Sequence, residues 1–128
     1  DGLQVQFRNF LQSYLIRSVV LNQPELSREE LDAMIGELTI TDPTLAEKTQ
    51  KMSVALYDLT IAHESNDYFE TLTNEYKYPQ LEIIYYKALN AAIKGDTERA
   101  MELLSQLNGE DERLYVVRMG KELLERTV

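Results

Sequence analysis

The sequence predicts an all-α protein, and three observations carry that reading. Apolar residues recur at spacings of three and four along most of the 128-residue chain, which is the period of a helix with one buried face. Glycine and proline are scarce, five and three, and they punctuate the apolar runs. No segment alternates with period two over a convincing length, so no strand is expected.

The first pattern runs from about Val5 to Leu21, with Phe7, Phe10, Leu11, Tyr14, Leu15 and Val19 on one side. Asn22-Gln23-Pro24 stops it. Ser27 lies three residues before Glu30, the spacing of a capping box in which hydroxyl and carboxylate satisfy each other's orphan amides. Leu31, Met34, Ile35 and Leu38 follow as a short stripe. Asp42-Pro43 opens the third helix, an N-cap acceptor followed by a proline where no amide is needed. That helix carries Leu45, Met52, Ala55, Leu56, Leu59 and Ala62. Ser65-Asn66-Asp67 breaks it, and Phe69, Leu72 and Tyr76 mark a shorter fourth helix. Pro79 starts the fifth, striped by Leu81, Ile84, Tyr85, Ala88, Ala91 and Ala92. Gly95 suits a left-handed stop and Asp96 caps the sixth helix, lined by Ala100, Leu103, Leu104 and Leu107. Asn108-Gly109 turns the chain into a last helix along Leu114, Val117, Lys121 and Leu124, with Val117, Gly120 and Leu124 closest to its neighbour.

Composition narrows the function. A formal net charge of −9 argues against nucleic acid, whose phosphates require clustered lysine and arginine, and against an anionic membrane surface. The absence of cysteine removes disulfides, thiolate metal sites and cysteine nucleophiles, and leaves cytoplasm and periplasm equally compatible. No apolar run approaches the roughly 20 residues of a membrane span. The chain opens straight into a helical pattern without an initiator methionine, so a fragment of a longer protein is expected.

Motifs for chemistry are missing. His63, the sole histidine, sits in AHESND, where a zinc-protease helix needs a second histidine at position 67; Asp67 stands there. The acidic pairs Glu29-Glu30, Asp111-Glu112 and Glu98-Glu102 fall on helix starts and outer faces, where they complement the helix dipole. Neither NGEDER nor GDTER has the ligand pattern of a calcium loop. Phosphate loops and serine elbows are absent. A non-enzyme without cofactor or metal is expected. The eight tyrosines are more informative: Tyr76, Tyr78, Tyr85 and Tyr86 cluster, and rings with a hydroxyl suit recognition surfaces. Tyr85 and Tyr86 point about 100° apart on a helix, so at least one should face a groove or solvent.

The expected helices pair as hairpins, first with second, third with fourth, fifth with sixth, a periodicity typical of helical solenoids. The clearest unit, LEIIYYKALNAAIKGDTERAMELLSQLN, resembles a tetratricopeptide repeat, with Ala88, Gly95 and Ala100 at that family's small-residue and turn positions. Ile84 and Leu104 take its large apolar sites, and Ala91 stands where it often has tyrosine. In the middle hairpin Asn66-Asp67 replaces the glycine turn and Phe69 the small residue, and the first hairpin matches in architecture alone. The resemblance implies about three antiparallel hairpins stacked as a solenoid over residues 1–128, with a C-terminal capping helix. It further implies a concave groove that binds a peptide or helix of a partner. Glu82, Tyr85, Leu89 and Ala92 would face that groove from the best repeat, and Leu56, Thr60 and His63 from the middle one.

The expected function is therefore a non-catalytic protein-interaction scaffold, with a homodimer as a further possibility. Two narrower readings are compatible with a small, acidic, helical chain. One is a bacterial chaperone resembling those that hold type III needle subunits. The other is the sensing or dimerisation domain of a larger regulator or membrane-anchored protein.

Overall fold

A computed structural model describes residues 2–72, 80–107, 109–110 and 114–127. Among the described residues every regular element is helical. They are α1 (Gly2–Asn22), α2 (Arg28–Gly36), α3 (Pro43–Tyr57), α4 (Gln80–Ile93), α5 (Thr97–Ser105) and α6 (Tyr115–Thr127). A π-helical turn, Asp58–Ala62, prolongs α3, and a 3-10 turn, Asp67–Thr71, precedes α4. The contacts divide the chain into two compact units, Asp1–Ala62 and His63–Val128. Pro79, Tyr76, Tyr78, Asn108, Asp111 and Glu112, all singled out in the sequence, lie outside the described residues.

In the first unit α1 lies along α3, and α2 touches both. The expected pairing of first helix with second is not the main one, because α2 has only nine residues and buries only Leu31. Caps form where the sequence places them. The Ser27 hydroxyl accepts from the Glu30 amide at 3.1 Å while the Glu30 carboxylate accepts from the Ser27 amide at 3.1 Å. Asp42 accepts from the amides of Thr44 and Leu45 at 3.0 and 3.3 Å. Such a cap is worth about 1 kcal/mol, enough to fix where a short helix begins. Leu45, Met52, Ala55 and Leu56 of α3 and Leu59 of the π turn are buried, as are Leu31 of α2 and Ile16 and Val20 of α1.

In the second unit α4 is the middle helix, with the 3-10 turn, α5 and α6 all packed on it. This arrangement corrects two expectations. Among the described residues, the expected fourth helix has a 3-10 turn at Phe69: Asn66 caps it by accepting from the Tyr68 amide at 2.9 Å, and Leu72 is already extended, at φ −89° and ψ 118°; Tyr76 lies outside those residues. Tyr85 and Tyr86 are both buried, at 4% and 2% exposure, so neither supplies the solvent-facing ring expected of the pair. Side chains 100° apart can both be core when neighbours cover more than one side of their helix. Phe69 stacks on Tyr86 at 4.8 Å between centroids, and Tyr85 meets Tyr86 edge-on at 5.3 Å.

The turn between α4 and α5 is built as its sequence requires. Gly95 takes φ +82°; its amide donates to the Ala92 carbonyl, and the Asp96 amide donates to that of Ala91. This double bond pattern, a Schellman stop, needs a left-handed residue that glycine adopts without strain. Asp96 then caps α5 by accepting from the Arg99 amide at 3.2 Å. Ala88 and Ala100 have no exposed surface, and Leu104 and Leu107 are buried beside them in sequence. Gly120 lets α6 approach α5: a Cβ added there would lie 2.5 Å from Leu107 Cδ1 and 3.4 Å from Leu104 Cδ2.

Candidate functional site

The residues expected to line a groove divide between the two units and differ in exposure. Leu56 has no exposure and Tyr85 only 4%; both are core, because α3 and α4 turn these faces toward packed neighbours rather than toward a partner. Thr60 is half-buried and its hydroxyl donates to the Leu56 carbonyl at 2.6 Å. His63 is exposed and sits at φ +55°, closing the π turn in the left-handed region that histidine enters more readily than most residues. Its position is thus explained by backbone geometry. Glu82, Leu89 and Ala92 are half-buried on α4, and Glu82 accepts from the Tyr86 hydroxyl at 3.4 Å. Leu56 and Thr60 belong to the first unit, and the others to the second.

A polar cleft of about 300 Å³ lies where the 3-10 turn meets α4 and α5. Its charges are spent on one another. Asp67 accepts from Lys94, and from the buried Asn90 amide at 2.9 Å, bonds that hold its carboxyl below the usual carboxylate range. Asn90 Oδ1 accepts from the Asn66 amide at 2.8 Å, and Arg99 donates to Glu70 at 2.7 Å. The cleft is a clamp that holds the turn on the α4–α5 pair.

Among the described residues a continuous stripe of exposed apolar side chains lies on α1, whose orientation is inverted over its first three to four turns. The side facing α3 is polar. Asn9 donates to the Thr41 hydroxyl at 3.1 Å and accepts from the Thr41 amide at 3.3 Å. Gln12 accepts from the Thr39 amide at 2.8 Å, and Ser13 accepts from the Thr49 hydroxyl at 2.9 Å. The opposite side carries Leu3, Phe7, Phe10, Leu11, Tyr14 and Leu15, which are 41–77% exposed. At 100° per residue these six fall within roughly 140° of arc, centred almost opposite Asn9 and Ser13. The polar seam therefore fixes the rotation that turns the apolar side outward. A trough of about 240 Å³, lined by Leu15, Ile16, Val19, Met34 and Leu38 among others, continues the face onto α2.

Leaving a large apolar side chain in water forgoes about 1.5–3 kcal/mol relative to burial. Scattered singly, such residues are ordinary; six on one stripe make a contiguous exposed apolar surface. The stripe is flanked by Arg8 and Arg17, and α1 contains no acidic residue although the chain carries 22. Arg17 lies over the Tyr14 ring, 6.0 Å from its centroid. Phe7, Phe10, Leu11, Tyr14 and Leu15 share a side in the sequence too, but their outward orientation was not foreseen there. The signal for that was the second apolar line, Ile16 and Val20, on the reverse of the same helix.

No helix among the described residues is long and apolar enough to cross a membrane. Among them no group of three or more His, Cys, Asp or Glu side chains is placed to hold a metal ion. Comparison of the chain with family models, curated proteins and solved structures returned no match.

Proposed function

We propose that the chain is a non-catalytic protein-interaction module whose docking surface is the outward face of α1. One observation carries the reading: polar residues of α1 are bonded inward while Leu3, Phe7, Phe10, Leu11, Tyr14 and Leu15 are exposed. A helix so oriented gains its missing burial only by covering that face, and a partner helix or an apolar peptide segment is the occupant that fits a straight stripe. The α4–α5 pair supports a tetratricopeptide-like arrangement for the second unit, since Ala88 and Ala100 are unexposed and Gly95 makes the turn.

The test uses Phe7→Ser with Leu11→Ser. Immobilised parent protein is expected to retain a protein from native extract that the double variant loses. The thermal midpoint of the variant in dilute solution should stay within about 5 °C of the parent, the equivalent of about 1 kcal/mol at this size. Retention by both proteins would overturn the reading. So would a collapse of the midpoint, which would make the face part of the core.

A further inference from the structure

We propose that the outward face of α1 docks on the same face of a second copy of this chain, the two helices running antiparallel. The proposal rests on the reading of α1 as an interaction surface and names its occupant.

Area is the first argument. Aromatic side chains present roughly 150–250 Å² each when fully exposed. With Phe7, Phe10 and Tyr14 at 50–69% exposure and three leucines beside them, the stripe offers on the order of 700 Å² of apolar surface. That exceeds the roughly 300–600 Å² largest patch of an ordinary monomer and approaches the roughly 800 Å² each partner contributes to a standard interface. One helix face thus supplies nearly a whole half-interface, and an isologous pair needs no other surface.

Spacing is the second. Leu3, Phe7, Phe10 and Tyr14 are separated by four, three and four residues, the alternation that keeps a seam facing a partner helix. A two-fold axis between Phe10 and Leu11 sets Phe7 against Tyr14 of the partner copy and Phe10 against its Leu11, so each aromatic ring meets an apolar side chain.

The helix dipoles select the direction. A parallel pair sets the two α1 dipoles side by side in the same sense, whereas the antiparallel pair opposes them.

The experiment measures sedimentation of the full chain across concentration, with Phe7→Ser/Leu11→Ser as the disrupted face. It is joined by oxidation of mixed single-cysteine variants, clean because the chain has no cysteine of its own. The parent is expected to form a dimer that the double variant weakens at least tenfold, about the effect of losing one anchor side chain. An equal mixture of Phe7→Cys and Tyr14→Cys chains is expected to form the 7–14 disulfide faster than 7–7 or 14–14, since only Cα atoms within about 7 Å can be bridged. Faster 7–7 bridging, or a dimer indifferent to the double variant, overturns the proposal. A parent that stays monomeric also overturns it, and three arms then separate the causes. A different protein lost on Phe7→Ser/Leu11→Ser leaves the interaction reading standing. Face-dependent sedimentation with phosphatidylserine vesicles replaces the protein occupant with lipid. No face-dependent partner of either kind sinks the interaction reading as well.

Discussion

Tyr85 shows how far a single residue's environment can depart from its sequence context. Burial pushes its phenol up to about 12, with Tyr115 adding to the rise and Arg126 of α6 opposing it. An unfolded tyrosine ionises near 10. Above that pH the unfolded chain gives up this proton while the folded chain keeps it, which favours unfolding. The stability tied to Tyr85 is therefore whole below about pH 10 and is lost as pH rises toward 12. Urea melts at about pH 9 and about pH 11 should show a larger loss in the parent than in Tyr85→Phe. Equal losses would mean that the phenol titrates as it does in water. The sequence identified Tyr85 as special but assigned it to a groove, because nothing local reveals that α6 covers that side of α4. His63 is the converse case. Its chemistry looked worth weighing, yet its place is explained by a backbone turn at φ +55°.

At the scale of elements, boundaries set by local chemistry were legible. Ser27, Asp42 and Asp96 cap α2, α3 and α5, and Gly95 stops α4, because capping bonds join residues only two to five apart. Element type was less so: Phe69 and Leu72 are three apart, a spacing that a 3-10 turn and an α-helix share. Two glycines separate propensity from packing. Gly36, at the end of α2, has nothing within 4 Å of a built Cβ, whereas Gly120 has Leu107 at 2.5 Å. Gly36→Ala should hold or raise stability by up to about 1 kcal/mol. Gly120→Val, whose branched methyls cannot all avoid the buried Leu107, should lose roughly 1–3 kcal/mol by overpacking. Chemical denaturation of the two variants decides it, and a neutral Gly120→Val would mean that α6 does not pack on Leu107.

Across the whole chain, the described residues contain helices and turns and no strand. Far-ultraviolet circular dichroism should accordingly show the double minimum of a helical protein. A strand share near the soluble average of about a quarter would overturn the fold class.

The sequence by itself determined the helical class, the order of most helices, their caps and the glycine turn, because these follow from periodicity and from bonds between near neighbours. The inward side of α3 was legible too, since its stripe of Leu45, Met52, Ala55 and Leu56 is buried; only the tertiary structure decided which sides of α1 and α4 face inward. For α1 both sides are apolar along part of the length, and the choice is made by Asn9, Gln12 and Ser13 bonding to Thr41, Thr39 and Thr49, partners 27 to 36 residues away. For α4 the choice belongs to Phe69 and α6, which bury two tyrosines that no single apolar stripe could accommodate. Burial depends on neighbours brought together by folding, and periodicity along one helix cannot name them.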